Sequence, residues 1–394
     1  MDIWEYSKKL IVGGNGLLSK RPTRYSPKSW PTYFKKAYGS KVLSIDNKWF
    51  LDFSEFSIGC NLFGYAPSFL RTLPLKYCFS SPLSTLNSKY EFLLAESLNK
   101  ILNEKRIWKF TRGGGESLSL AVRFARTLAQ NDGPILVTGY HGWHDWYLAA
   151  NINENSLDDL LIPGLPIYGI PGRLKGSVYA CSLEKLEEGI HKHKPAILVY
   201  EGSRSELIDE DKLSLIKSFQ KKGGILLADE ITSGFRTKEL TFSKRYQLRA
   251  DIVVLGKSLG AGYAISAVGC LSENKKVNLL DSVFASSTFW TEEIGLKAGY
   301  LTTEFFLKNN KKIINSIEKI TNKIKHTLKE SFTSNGYHID INNHQFRDED
   351  IQFFSLKTGG LVPELNITIE DTSGVFDAAQ YPRDGDVVTL LINS

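Results

Sequence analysis

Short, continuously apolar runs recur through the middle of the chain, each alternating with a helix-like stretch: Ile135 to Val137, Ala196 to Tyr200, Ile225 to Ala228 and Ile252 to Leu255. Runs of this kind suit strands buried on both faces, as parallel strands are. The intervening stretches carry helical spacing. Glu116 to Ala129 puts Leu118, Ala121, Val122, Ala125 and Leu128 on one face, and Leu213, Ile216 and Phe219 do the same before a Gly223-Gly224 stop. Strand and helix in alternation mean an α/β fold with a mostly parallel sheet.

The chain of 394 residues exceeds the usual limit of a single core, so one large domain with smaller pieces from the two ends is expected. Residues 1–60 form an N-terminal segment in which Lys41 to Leu43 and Lys48 to Leu51 flank the turn-like Asp46-Asn47 as a hairpin. Residues 61–302 hold the alternating pattern. Residues 303–394 make a C-terminal piece, first a Lys-rich helical stretch to about Phe332, then a tail of turn residues and short strand-like runs.

Hydrophobic residues at 42% and charged residues at 23% are ordinary for a globular protein and argue against extended disorder. The charge of +6 is spread without a basic block, and Lys221-Lys222 and Lys311-Lys312 read as solvated helix ends, so no nucleic-acid partner is expected. The N-terminal residues lack a charged and then apolar leader and no run is fit to span a bilayer, so the expectation is a cytoplasmic protein with no membrane partner. Cys60, Cys78, Cys181 and Cys270 lack CxxC spacing and read as reduced, mostly buried thiols.

In open α/β sheets ligands bind beyond the carboxyl ends of the strands, and four such places carry chemistry. One run delivers Asp229 and Glu230, another Gly256-Lys257, a third Tyr140-His141, and Phe110-Thr111 leads into Arg112-Gly113-Gly114-Gly115. The glycine run opens an amphipathic helix, which points backbone N–H groups at an anion or simply makes a tight turn; it lacks the spacing of ATP or dinucleotide sites. Lys257 ends an apolar strand, where partial desolvation favours a neutral amine able to attack a carbonyl. Asp229 suits a helix cap, a magnesium ligand or the partner of a cationic heterocycle, and Tyr140 offers a flat face to a ring or to the core. In one cleft, the anion cradle, amine, carboxylate and aromatic describe a single cofactor, pyridoxal 5'-phosphate. A rival reading takes His141-Gly142-Trp143-His144-Asp145 as zinc ligands of a metal-dependent hydrolase, although its spacing matches no established zinc pattern and no metal is assigned.

The order and wording of these motifs resemble the class III aminotransferases of fold type I, and within them the glutamate-1-semialdehyde 2,1-aminomutase branch, over roughly Gly13 to Thr302. The most specific pieces are Asp229-Glu230-Ile231-Thr232-Ser233-Gly234-Phe235-Arg236, Gly256-Lys257 with its glycine-rich sequel, and Ser287-Thr288 before Phe289. The resemblance implies a seven-stranded, mostly parallel sheet covered by helices, with a small α+β domain from the two termini. It implies Lys257 as the lysine that bonds to the cofactor and shuttles the proton, Asp229 at the pyridine nitrogen, and Tyr140 and Ile231 on the two ring faces. Gly113, Gly114 and Gly115 would hold the phosphate, with His141, Glu201 and Thr232 also lining the cofactor. Thr288 would reach the phosphate of a neighbouring subunit, which makes a homodimer with shared sites.

The expected activity is amino-group transfer between a small-molecule amino donor and a carbonyl acceptor. The stretch Tyr140 to Ala150 and the Ser287 to Glu292 segment are similar to mutase-like aminotransferases of surface-polysaccharide or other specialised biosynthesis. The alternatives are the aminomutase proper and a catalytically impaired homologue. The latter is suggested by a tail that departs from the family after about Tyr337, and Glu201-Gly202 replaces the family's usual Glu-Pro.

Overall fold

In the computed structural model, residues 2–24, 30–52, 56–153, 169–202, 208–334, 337–341, 344–346, 351–357, 364–369 and 388–392 are described. They form two compact units, one of residues 59–314 and one of residues 1–58 with 315–394. Near the N-terminus, β1 (Phe34–Tyr38), β2 (Lys41–Ser44) and β3 (Trp49–Leu51) make a small antiparallel sheet. The turn between β2 and β3 carries Asn47 at a φ of 62°, a conformation that asparagine tolerates.

The 59–314 unit is built on seven strands: β4 (Arg106–Thr111), β5 (Ile135–Thr138), β6 (Val178–Ala180), β7 (Ile197–Tyr200), β8 (Ile225–Asp229), β9 (Ile252–Leu255) and β10 (Ser266–Leu271). Their order in the sheet is β4-β10-β9-β8-β7-β5-β6. The pairs from β6 through β9 are all parallel, and β10 runs antiparallel to both β9 and β4. Two reversals in succession leave β4 pointing the same way as β9. The carboxyl ends of β4, β5, β7, β8 and β9 therefore share one edge of the sheet, the mostly parallel α/β architecture expected from the apolar runs.

Every residue of β5, β7, β8 and β9 is buried. Each fully buried Val, Leu or Ile contributes about 1.5–3 kcal/mol relative to exposure, so these strands dominate the core. The Gly114–Ala129 helix lays Leu118, Ala121, Val122, Ala125 and Leu128 across β8, β9 and β10 on one face. On the other face, Ile216 and Phe219 of the Glu210–Lys221 helix pack with Leu226 and Ala228. Buried Arg106 fastens the far end of the sheet, donating to the Gly269 and Ala250 carbonyls at 2.9 Å each and to Glu104 at 2.7 Å.

The long C-terminal helix differs from its expected start. It runs from Glu293 to Ser334, because the Glu292 carboxylate accepts from the N–H groups of Ile294 and Gly295 and so starts it earlier. Lys311 and Lys312 consequently lie inside this helix and do not mark its end. Beyond it, β11 (Tyr337–Ile341), β12 (His344–Phe346), β13 (Ile351–Lys357), β14 (Glu364–Ile369) and β15 (Val388–Ile392) are strands. They form an antiparallel sheet β12-β11-β15 and a β13-β14 pair. Of the cysteines, Cys181 and Cys270 are buried, Cys60 is intermediate and Cys78 is exposed, so burial is less general than expected. Among the described residues, no helix is long and apolar enough to cross a membrane.

Candidate active site

At the carboxyl edge, β8 ends on Asp229, whose side chain is almost completely buried. Its Oδ1 accepts from the Ile231 N–H at 3.1 Å and its Oδ2 faces Nδ1 of His141 at 2.8 Å. The other nitrogen of that imidazole, Nε2, lies 2.8 Å from the Thr138 carbonyl. A carbonyl only accepts, so Nε2 carries a proton, and a second proton must lie between Nδ1 and Oδ2. Asp229 and His141 thus form a buried pair with no net charge. Both ring nitrogens of His141 are engaged here, which removes the histidine from the proposed zinc set. Among the described residues, no group of three His, Cys, Asp or Glu is arranged to hold a metal ion.

Strand β9 ends through Gly256 into Lys257, which adopts a φ of 43°. This left-handed backbone is costly for a residue with a Cβ, and such strain concentrates where a side chain must be aimed. Lys257 is half-buried, and its Nζ donates to Thr232 Oγ1 at 2.9 Å. Thr232 follows Ile231, so one short loop touches the carboxylate with its backbone and the amine with its side chain. Ile231 sits between further groups. A methyl group added to Gly114 would come within 2.8 Å of Ile231 Cδ1, and one on Gly256 within 3.3 Å of its Cγ2.

The glycine turn leads from β4 into the Gly114–Ala129 helix. Glu116 Oε2 accepts from the N–H groups of Arg112 and Gly113 at 3.0 Å each. Gly113 therefore shapes the turn and has its donor committed. The N–H groups of Gly114 and Gly115, first and second in the helix, have no carbonyl one turn back to bond and point along the positive helix end. The His144 imidazole lies beside Gly115, since a methyl group there would be 2.5 Å from Nε2.

Tyr140 lies between glycines with φ of 88° and 95° at positions 139 and 142, and is half-buried. Its N–H points to Glu201 Oε2 at 3.4 Å, and its ring meets Tyr147 edge-on at 6.0 Å. Tyr147 is itself anchored by a hydrogen bond to the Gly139 carbonyl at 2.9 Å. Thr288 is exposed, and the segment after it is pinned to the glycine turn by Arg112, which bonds the Phe289 and Glu292 carbonyls and the Glu292 carboxylate. The structure thus joins Lys257, Thr232, Ile231, Asp229, His141 and Gly114 by direct contacts. Gly115, Tyr140 and Glu201 lie on adjoining turns, and Thr288 stands outside this set.

Several residues that organise the site were given no role of their own from the sequence. Arg236 binds the Thr232 carbonyl, Ser258 Oγ at 3.3 Å and the Gly59 carbonyl at 3.1 Å, tying the loops after β8 and β9 together. Glu230 is completely buried with four donors on it, the Ser233 and Ser243 hydroxyls and the Phe242 and Ser243 N–H groups. Glu116 alone had a sequence signal, a glutamate three residues after a helix cap.

The seven-stranded sheet is of the kind found in fold type I transaminases. A FumI protein of Sphingopyxis sp. MTA144, solved as a pyridoxal phosphate internal aldimine, superposes with a TM-score of 0.73 at 18% identity over 93% of this chain and 83% of that one. An omega-transaminase from Sphaerobacter thermophilus gives 0.70 at 18% identity, over 96% and 86%. The class III aminotransferase family model matches residues 25–341, and the chain belongs to that family. It is similar to a 3-aminobutyryl-CoA aminotransferase of Cloacimonas acidaminovorans, 26% identical over 77% of this chain and 72% of the relative. A glutamate-1-semialdehyde 2,1-aminomutase of Saccharolobus islandicus is 25% identical over 83% and 79%. The chain is accordingly a pyridoxal-phosphate enzyme of amino-group transfer. Its residues fit that cofactor: an amine, a buried proton-bearing pair and a helix N-terminus with two open N–H groups stand around Ile231.

Proposed function

We propose that Lys257 is the residue through which this enzyme moves amino groups, with pyridoxal phosphate held at the carboxyl edge of the sheet. Gly114 and Gly115 would take the phosphate, Tyr140 and Ile231 the ring faces, Asp229 the ring nitrogen and Lys257 the aldehyde. Bound there, the cofactor supplies an electron sink for the carbon that bears the amino group. The observation that carries this reading is the Lys257 Nζ bond to Thr232, on the same loop whose Ile231 N–H binds the buried Asp229.

The chain's own groups divide the work. Thr232 orients the Lys257 amine, which accepts and returns a proton at the reacting carbon once it is free. The Asp229–His141 pair keeps a proton at hand for the ring nitrogen without placing net charge in the core. Tyr147 and Glu201 hold the two ends of the peptide group that leads into Tyr140, its Gly139 carbonyl and its Tyr140 N–H, and so fix the backbone from which the ring projects.

The same proposal extends to a homodimer in which Thr288 completes the phosphate site of the partner. Its support is the exposure of Thr288 together with the exposed apolar Phe284 and Phe289 on the same segment. The exposed thiol of Cys78 supports a reducing compartment such as the cytoplasm. The substrates are a small amino donor and a carbonyl acceptor, of the kind used in surface-polysaccharide or other specialised biosynthesis.

The test is an absorption spectrum of the purified protein with its cofactor, followed through additions of amino acids and amino sugars with and without a separate acceptor. The lysine-bound cofactor band should appear in the wild type, vanish in Lys257→Ala and bleach with the productive donor. Turnover without a separate donor identifies an intramolecular transfer. A wild type that forms no such band refutes the reading.

A further inference from the structure

We propose that His144 is a proton-dependent ligand of the cofactor phosphate, acting beside the Gly114 and Gly115 N–H groups; the proposal rests on the reading of that turn as the phosphate cradle. The imidazole is built into the turn. It packs against the neighbouring Trp143 ring, tilted by 36° with centroids 4.4 Å apart. It also fills the space over Gly115, where an added methyl group would lie 2.5 Å from Nε2 and 2.6 Å from Cδ2. A side chain at position 115 would displace it, so the glycine serves the close approach of the imidazole as well as that of an anion. Among the described residues, neither ring nitrogen of His144 makes a hydrogen bond. A donor placed at the mouth of a helix N-terminus and left without a protein partner is poised to bind what that terminus binds.

The charged groups that face His144 are Glu116 on the glycine helix and Asp145 on its own segment. Partial burial lowers its pKa against the pull of both carboxylates, so without an anion the ring is neutral at neutral pH. Glu116 is meanwhile occupied with the Arg112 and Gly113 N–H groups. A phosphate dianion in the cradle reverses this balance by favouring the imidazolium, which raises the pKa of the bound state. By linkage, the contribution of His144 to phosphate affinity is complete below the anion-free pKa and is lost as pH rises through the bound one.

Cofactor dissociation from the holoenzyme, measured by ultrafiltration across pH for pyridoxal 5'-phosphate and for pyridoxal, isolates the part of affinity owed to the phosphate. That advantage should be about tenfold larger in the wild type than in His144→Asn or His144→Gln at about pH 6, the worth of one charge-assisted hydrogen bond, and should converge at about pH 9. The ionisation of the free phosphate is common to all three proteins and cancels in the comparison, while that of the bound phosphate is part of the coupling being read. Equal advantages at every pH overturn the proposal. A wild type that does not distinguish the two ligands overturns the glycine-turn reading as well. The 31P resonance of the holoenzyme gives a second check: its shift with pH should differ between wild type and His144→Gln, and identical profiles overturn the proposal.

Discussion

The imidazole of His141 stands 2.8 Å from the Asp229 carboxylate, and its far nitrogen is fixed on a backbone carbonyl, so the two residues must share a proton inside the core. Replacing His141 by Phe leaves a buried carboxylate without its counterpart, a defect worth about 3 kcal/mol or more. The carboxylate then loses the partner that fixes its Oδ2 and holds the ring nitrogen less well. His141→Phe is expected to lower kcat about tenfold or more, the rate equivalent of about 1.4 kcal/mol lost at the ring nitrogen. His141→Asn, whose amide still donates to Asp229, should fall between variant and wild type. Steady-state kinetics on the productive substrate pair checks the order.

Lys257 holds a left-handed backbone that costs a residue with a Cβ about 1–2 kcal/mol. Lys257→Ala and Lys257→Gly both lack the amine and should both be inactive. They should differ in stability, because glycine relieves the backbone strain while giving back part of the gain in unfolded-chain entropy. Lys257→Gly is expected to be the more stable of the two by about 1 kcal/mol. Urea unfolding of the two cofactor-free variants measures the difference, and a Lys257→Ala more stable than Lys257→Gly would mean that the turn is unstrained.

Gly114 faces Ile231 so closely that a methyl group would lie 2.8 Å from its Cδ1. The colliding atom is the tip of a flexible side chain, so Gly114→Ala should fold, with a cost of about 1–3 kcal/mol for the overpacked contact. The displaced Ile231 and the crowded first N–H should weaken cofactor retention. Spectroscopic titration is expected to show reduced affinity with little change in the far-ultraviolet circular dichroism.

Glu293, at the start of the long helix, takes hydrogen bonds from Tyr77 at 2.7 Å and Ser88 at 2.9 Å and an ion pair from Lys76. Partial burial pushes its carboxyl pKa up, but these three donors outweigh it and bring it down to about 2. A depressed carboxylate contributes stability that is present above its unfolded pKa and is lost as pH falls through the folded one. The thermal midpoint difference between wild type and Glu293→Gln should therefore be constant above about pH 4.5 and shrink toward about pH 2. A difference independent of pH over that window would place the effect elsewhere.

How far the sequence reveals this molecule depends on which forces act locally. Strands β5, β7, β8 and β9 were identifiable because burial on both faces demands unbroken apolar runs. Strand β4 alternates exposed and buried positions, and β10 is rich in small residues, so neither has that signature although both belong to the same sheet. Lys257, Asp229 and the glycine turn stood out because each follows directly from a strand. Arg236, Glu230 and His144 were visible in the same motifs but without these roles, since their partners lie at positions that only the folded chain brings near.

Glu230 illustrates the point, because in an extended strand it faces away from Asp229 and its work is invisible beside that residue. Its two oxygens collect the Ser233 and Ser243 hydroxyls and the Phe242 and Ser243 N–H groups, so one buried carboxylate closes the 231–245 loop on itself. The hydroxyls can rotate, whereas the two backbone donors cannot turn away. Glu230→Gln therefore leaves at least one N–H facing an amide N–H, which costs about 1–3 kcal/mol for a buried donor without a partner. The loop that loosens is the one carrying Ile231 and Thr232, so the variant should lose stability and also the fixed aim of the Lys257 amine. Urea unfolding should show the first effect. The second should appear as a kcat reduced more than KM is raised, and a variant with lowered stability but unchanged kcat would confine Glu230 to a structural part.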